Sequence, residues 1–144
     1  MLNALSNCIL KIEHGIRHSN RPEDRSLGEK YLAYLAPVLA SSELSCVEIE
    51  QLRGFERLVG HSFLVDPRPF GTFYDDWKEY KNQCERMLCL GMTTNERIYS
   101  LGLLDDFDQC SRNRDWGAMA EILRRAHFES KEIDAIIESQ KKNG

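Results

Sequence analysis

Residues 2–18, LNALSNCILKIEHGIRH, decide the fold class. Leu2, Leu5, Ile9, Ile12 and Ile16 recur at steps of three and four. That spacing puts them on one stripe of an α-helix, whereas a strand would scatter them over both faces. The stretch predicts an amphipathic helix whose apolar stripe needs a partner.

The same periodicity returns along the chain. After a polar connection at residues 19–24, a second helix is expected from Asp24 or Ser26 to Ser41, with Leu27, Tyr31, Leu35, Val38 and Leu39 inward. Pro37 interrupts it and predicts a bend or break near Ala36, because proline lacks the N–H and crowds the preceding turn. A third helix is expected from Ser45, with Glu48 at capping-box spacing, through Ile49, Leu52, Phe55 and Val59 to Gly60. Two prolines in residues 60–71 predict an extended surface loop. A fourth helix opens at Thr72 and carries Phe73, Trp77, Tyr80, Cys84, Met87 and Leu88 to Gly91.

Shorter helices follow. Thr93 and Glu96 form a second capping-box pattern, and Gly102 breaks the short helix they open. Residues 104–112 form the next helix. Asp115 caps another, with Trp116, Met119, Ile122 and Leu123 inward. A turn at residues 127–129 leads to a last helix from Ser130, with Ile133, Ile136 and Ile137 inward and a fraying tail. The best strand candidate, residues 61–65, is short. The expected fold is all-α: an antiparallel four-helix unit over residues 1–91, then a compact bundle of short helices over residues 92–144, packed as one body.

Composition narrows the function classes. At 144 residues the chain can bury roughly two-thirds of its unfolded surface, enough for a core without disulfide or metal staples. A formal net charge of -4 argues against non-specific nucleic-acid binding, which needs clustered Lys and Arg. No apolar run reaches the roughly 20 residues that span a bilayer. Residues 1–17 lack the basic lead and apolar stretch of a secretory signal. Cys8, Cys46, Cys84, Cys89 and Cys110 are odd in number and irregular in spacing, which fits small buried side chains in a reducing cytoplasm.

The search for chemistry returns little. No glycine-rich phosphate loop and no nucleophile elbow occurs. His14 and His18 share a helix face on the wet side, but two imidazoles lack the third ligand of a catalytic zinc site. No catalytic, metal-binding or cofactor-binding residue is therefore assigned. Two acidic clusters, Asp75, Asp76 and Glu79, and Asp105, Asp106 and Asp108, lie near helix starts, where carboxylates complement the macrodipole. The aromatic group Phe63, Phe70, Phe73, Tyr74, Trp77 and Tyr80 brackets the proline loop and reads mainly as packing beneath it. Phe70 and Tyr74 are expected to reach the surface, where aromatics beside acids make good protein-binding anchors. The candidate binding residues are thus Phe70, Tyr74, Asp75 and Asp76 on one rim, and Asp105, Asp106 and Asp108 on an acidic patch.

Residues 93–108, TTNERIYSLGLLDDFD, resemble a T-x-N-E-R module, followed by G-L and an acidic–aromatic run, of small bacterial proteins found beside secreted toxins. Arg114-Asp115, residues 122–125 and residues 130–132 continue that pattern. Residues 1–90 are similar in helix layout to small helical immunity proteins of type VI and contact-dependent toxin systems. The resemblance implies no catalytic residues. It implies a cytoplasmic binder that covers the active site of a cognate toxin acting on RNA, DNA, nucleotides or NAD, with no direct nucleic-acid or membrane contact. The alternative is a helical adaptor or regulatory module, with a helix-turn-helix-like arrangement around Arg124, Arg125 and His127.

Overall fold

The computed structural model describes residues 2–44 and 47–143. They form eight α-helices and one 3-10 turn, with no strand among them. The all-α expectation is met. The chain divides into two compact units, Met1–Leu88 and Cys89–Gly144.

The first unit holds α1 (Leu2–His18), α2 (Pro22–Glu43), α3 (Ile49–Gly60), the 3-10 turn (Arg68–Phe70) and α4 (Phe73–Cys89), whose last residue opens the second unit. The inward stripe of α1 is Ala4, Leu5, Cys8, Ile12 and Gly15. Leu2 is exposed, and Ile9 and Ile16 only flank the core, so the buried face is rotated from the one drawn through leucine and isoleucine alone. Small residues let α2 approach this face closely.

Pro22 belongs to the helix rather than to the connection before it. At the first helical position its missing N–H costs nothing, since that donor has no intrahelical partner. Of the bend or break expected near Ala36, the break does not occur: α2 runs through Pro37. Tyr31 and Leu35 before it and Val38 after it are all buried, so packing on both sides holds the helix together across the lost hydrogen bond. The predicted start of α3 at Ser45 lies outside the described residues, as does Cys46. The helix begins at Ile49 with Glu48 as its N-cap, and the Glu48 N–H donates to Gln51 Oε1 at 3.0 Å.

The core of this unit is aromatic. Phe55 and Trp77 lie 4.5 Å apart between ring centroids, Trp77 and Tyr80 5.6 Å, and Tyr31 lies 5.5 Å from Phe73 and 5.7 Å from Phe55. Polar links tie α4 to the other three long helices of this unit. Lys11 of α1 pairs with Asp76 at 2.6 Å, Ser42 of α2 shares a hydrogen bond with the Tyr80 hydroxyl, and Glu56 of α3 pairs with Lys81 at 2.7 Å.

The second unit contains α5 (Thr94–Ser100), α6 (Leu104–Asn113), α7 (Trp116–Arg125) and α8 (Ser130–Asn143) around Ile98, Phe107, Met119, Leu123 and Ile133. Its caps are those the sequence announces. Thr93 Oγ1 accepts from the Glu96 N–H at 3.2 Å, and Asp115 Oδ1 from the Ala118 N–H at 3.1 Å. Arg97 is the keystone. Its guanidinium lies 4.2 Å over the Phe128 ring and donates to the carbonyls of Cys89 (3.3 Å) and His127 (3.3 Å). The T-x-N-E-R motif therefore builds this unit: its threonine starts a helix and its arginine closes exposed carbonyl ends.

Candidate functional site

The proposed rim at the start of α4 is rearranged. Phe70 is not on the surface: it is 0% exposed and forms part of the core. The 3-10 turn drives its ring between α1 and α2, into a notch kept open by Gly15 and Gly28. A Cβ on either glycine would stand within 2.9 Å of the Phe70 ring. Two helical glycines were the available signal, since glycine in a helix interior is disfavoured unless something must pass close by.

Tyr74 is half-buried at the core's edge, with Lys78 Nζ 5.5 Å from its ring centroid. Burial, and then the Glu56 carboxylate, raise its hydroxyl above the usual tyrosine range. Asp76 is a strut rather than an exposed acid, because its side chain is 17% exposed and engaged by Lys11, which also donates to Thr72 Oγ1 at 2.7 Å. Asp75 stays exposed and pairs with Lys78 at 3.3 Å. Of the four residues of the rim, only Asp75 is fully at the surface.

The acidic patch keeps its character. Asp105, Asp106 and Asp108 are all exposed, and the first two lie in the first turn of α6. Leu103 provides no side-chain cap there, so these carboxylates serve the helix N-terminus electrostatically.

The proline loop presents a different aromatic. Phe63 is 94% exposed. The sequence reading had placed it with the packing aromatics, and the structure reverses its role with that of Phe70. The backbone carrying Phe63 is braced on both sides. Ser62 Oγ shares a hydrogen bond with the Tyr31 hydroxyl and donates to the Val59 carbonyl at 2.8 Å. Beyond Phe63, Leu64 packs on the core. The next two N–H groups, of Val65 and Asp66, donate to the Asp24 carboxylate at 3.0 and 3.2 Å. Asp24 is 1% exposed, so a buried carboxylate of α2 grips the loop from beneath. The segment expected to be an extended surface loop is anchored at both ends of a short exposed stretch.

The remaining candidates are the paired histidines and the cysteines. The rings of His14 and His18 lie 4.2 Å apart and both residues are exposed. Among the described residues, no group of three or more His, Cys, Asp and Glu could hold a metal ion. Cys8, Cys84, Cys89 and Cys110 are buried. Burial, reinforced by the nearby Asp76 carboxylate, pushes the Cys8 thiol up to about 12, which leaves it a poor nucleophile. Among the described residues no helix is long and apolar enough to cross a membrane. No family model, no curated protein and no solved structure matches the chain.

Proposed function

We propose that this chain is a protein-binding module, and specifically an immunity protein that neutralises a cognate secreted toxin in the cytoplasm by covering its active site. The observation that carries the binding reading is Phe63. A phenylalanine so exposed on backbone braced by Ser62 and Asp24 is an anchor whose ordering cost is largely met before binding. Val65, two residues on, is also exposed and widens the apolar contact. Asp75 and the Asp105, Asp106 and Asp108 patch supply negative charge that steers a basic active site toward the chain. The toxin reading adds the resemblance of residues 93–108 and of the helix layout.

The test is co-expression with a toxin domain encoded beside this chain. The immunity reading expects restored growth and a complex with a Kd near about 1 nM, or roughly -12 kcal/mol. Phe63→Ala should weaken that complex by about 2 kcal/mol or more, roughly 30-fold. A complex that forms without protecting the cell favours the adaptor reading. A complex indifferent to Phe63 removes the loop from the interface.

A further inference from the structure

Two open grooves flank the ridge of the 3-10 turn in the first unit. One, of about 610 Å³, is lined by His18, Asn20, Arg21, Val65, Asp66 and Arg68 among others. The second, of about 390 Å³, is lined by Asn7, Leu10, Lys11 and His14 and shares Arg68 and Pro69 with the first. Asn7, Lys11, His14 and His18 follow one another at steps of three and four, so a single face of α1 forms a wall of both grooves. The two depressions thus lie end to end along α1 with Arg68 and Pro69 between them, and are taken together as one channel.

The channel's charge is opposite to that of the whole chain. The chain carries -4, yet Lys11, Arg21 and Arg68 line this channel against one lining carboxylate, Asp66. Lys11 is taken by Asp76. Arg68 shares one edge of its guanidinium with Asp66, through Nε at 2.9 Å and Nη2 at 3.2 Å, and holds that carboxyl below the usual range. Arg21 also lines the first groove, and its charge helps to lower the Asp66 carboxyl. The floor is partly apolar, because Leu10 and Val65 keep more than half their surface exposed.

We propose that this channel receives an extended acidic segment of the partner protein, its carboxylates reaching Arg21 and Arg68 and its apolar side chains resting on Leu10 and Val65. The proposal rests on the reading of the chain as a protein-binding module. A peptide fits the mixture better than a nucleic-acid backbone does. Phosphate tracking calls for clustered Lys and Arg along the whole path, and gains nothing from exposed leucine and valine or from a resident carboxylate. Arginine forks suit carboxylates, and a shallow channel accepts an extended chain more readily than a compact ligand.

The experiment titrates the full chain, labelled with 15N, with a short peptide of alternating glutamate and valine. Parallel arms use the same peptide with lysine for glutamate and an oligothymidylate of equal charge. Acidic-peptide binding should shift the amides of residues 18–21 and of Val65, Asp66, Arg68, Phe70 and Gly71, weaken with salt, and be absent with the lysine peptide. Arg21→Gln combined with Arg68→Gln should lower affinity by about tenfold or more, the scale of losing charged contacts at an interface. Arg112→Gln, at an exposed position in the second unit, should leave it unchanged. Leu10→Glu alters an exposed position without touching the core and should also weaken binding, which guards against misfolding of the double variant. The proposal fails if the acidic peptide leaves these amides unmoved, if the double variant and Leu10→Glu bind like the parent, or if oligothymidylate binds the channel as well as the peptide does. The titration needs no toxin. A chain that protects cells but ignores the peptide sinks the channel alone, and one that takes the peptide without protecting sinks only the immunity reading.

Discussion

Phe63 and Phe70 belong to the same loop and have opposite fates, because Gly15 and Gly28 leave room for one ring only. This sets an asymmetry that urea denaturation can measure. Phe70→Ala should cost about 3–5 kcal/mol, the usual loss for emptying a packed aromatic site. Phe63→Ala should stay within about 0.5 kcal/mol, as an exposed side chain does. Gly15→Ala reverses a general rule. Alanine ordinarily strengthens a helix interior by up to about 1 kcal/mol over glycine, but here its methyl meets the Phe70 ring, so stability should fall. Similar losses for both phenylalanines would mean that Phe63 also packs. The contrast shows what one sequence can reveal at this scale. The caps at Thr93 and Asp115 were legible because donor and acceptor lie three residues apart. The choice between two phenylalanines was not, because it depends on glycines in two other helices.

At the scale of elements, helix identity was legible from periodicity and the effect of Pro37 was not. Local stereochemistry predicts a bend or a break there, and the break does not occur. Continuous burial of Tyr31, Leu35 and Val38 overrides it, and only the assembled core supplies that burial. The penalty should persist inside the intact helix. Because position 37 is exposed, Pro37→Ala can restore the hydrogen bond to the Ala33 carbonyl without crowding the core, and should raise stability by about 1–3 kcal/mol. A loss instead would show that the local backbone shape imposed by proline is needed for α2 to reach both parts of the core. The loop offers a second measurement. A uniformly mobile loop would exchange all its amides quickly. The Asp24 grip predicts that Val65 and Asp66 exchange much more slowly than Phe63. Asp24→Ala should abolish that protection and cost about 1–3 kcal/mol by leaving two inward N–H groups without their acceptor. Exchange at Val65 as fast as at Phe63 in the parent would rule out the clamp.

On the scale of the whole molecule, the chain divides between Leu88 and Cys89, where long helices give way to shorter ones. The different chemistry of the two interiors was hidden, because burial of an ionisable group depends on packing and not on its neighbours in sequence. In the first unit, burial raises the Cys8 thiol to about 12 and lifts Tyr31, Tyr80 and Cys84 above their usual ranges. In the second unit, Cys110 is raised by burial and then by Asp115 and Asp106. A group whose pKa is higher in the folded state holds its proton there after the unfolded chain has lost it. Stability is therefore unaffected below the unfolded value and falls as pH climbs from that value toward the folded one. For Cys8 that window runs from 9.0 to about 12, and at pH 10.5 it alone accounts for a loss of about 2 kcal/mol. With more raised groups, the first unit should weaken more steeply in alkali than the second. Each unit contains one of the chain's two tryptophans, Trp77 in the first and Trp116 in the second, so each can be followed by fluorescence in a variant where the other is phenylalanine. Urea midpoints should agree between pH 7 and pH 8.5 for both reporters. By pH 10.5 the Trp77 signal should have moved to lower urea by more than the Trp116 signal. Cys8→Ala should flatten part of the Trp77 trend, since alanine keeps a small apolar group at that site without a proton to lose. If both midpoints fall together and Cys8→Ala changes nothing, the alkaline sensitivity arises elsewhere and the buried thiol of α1 is not its source.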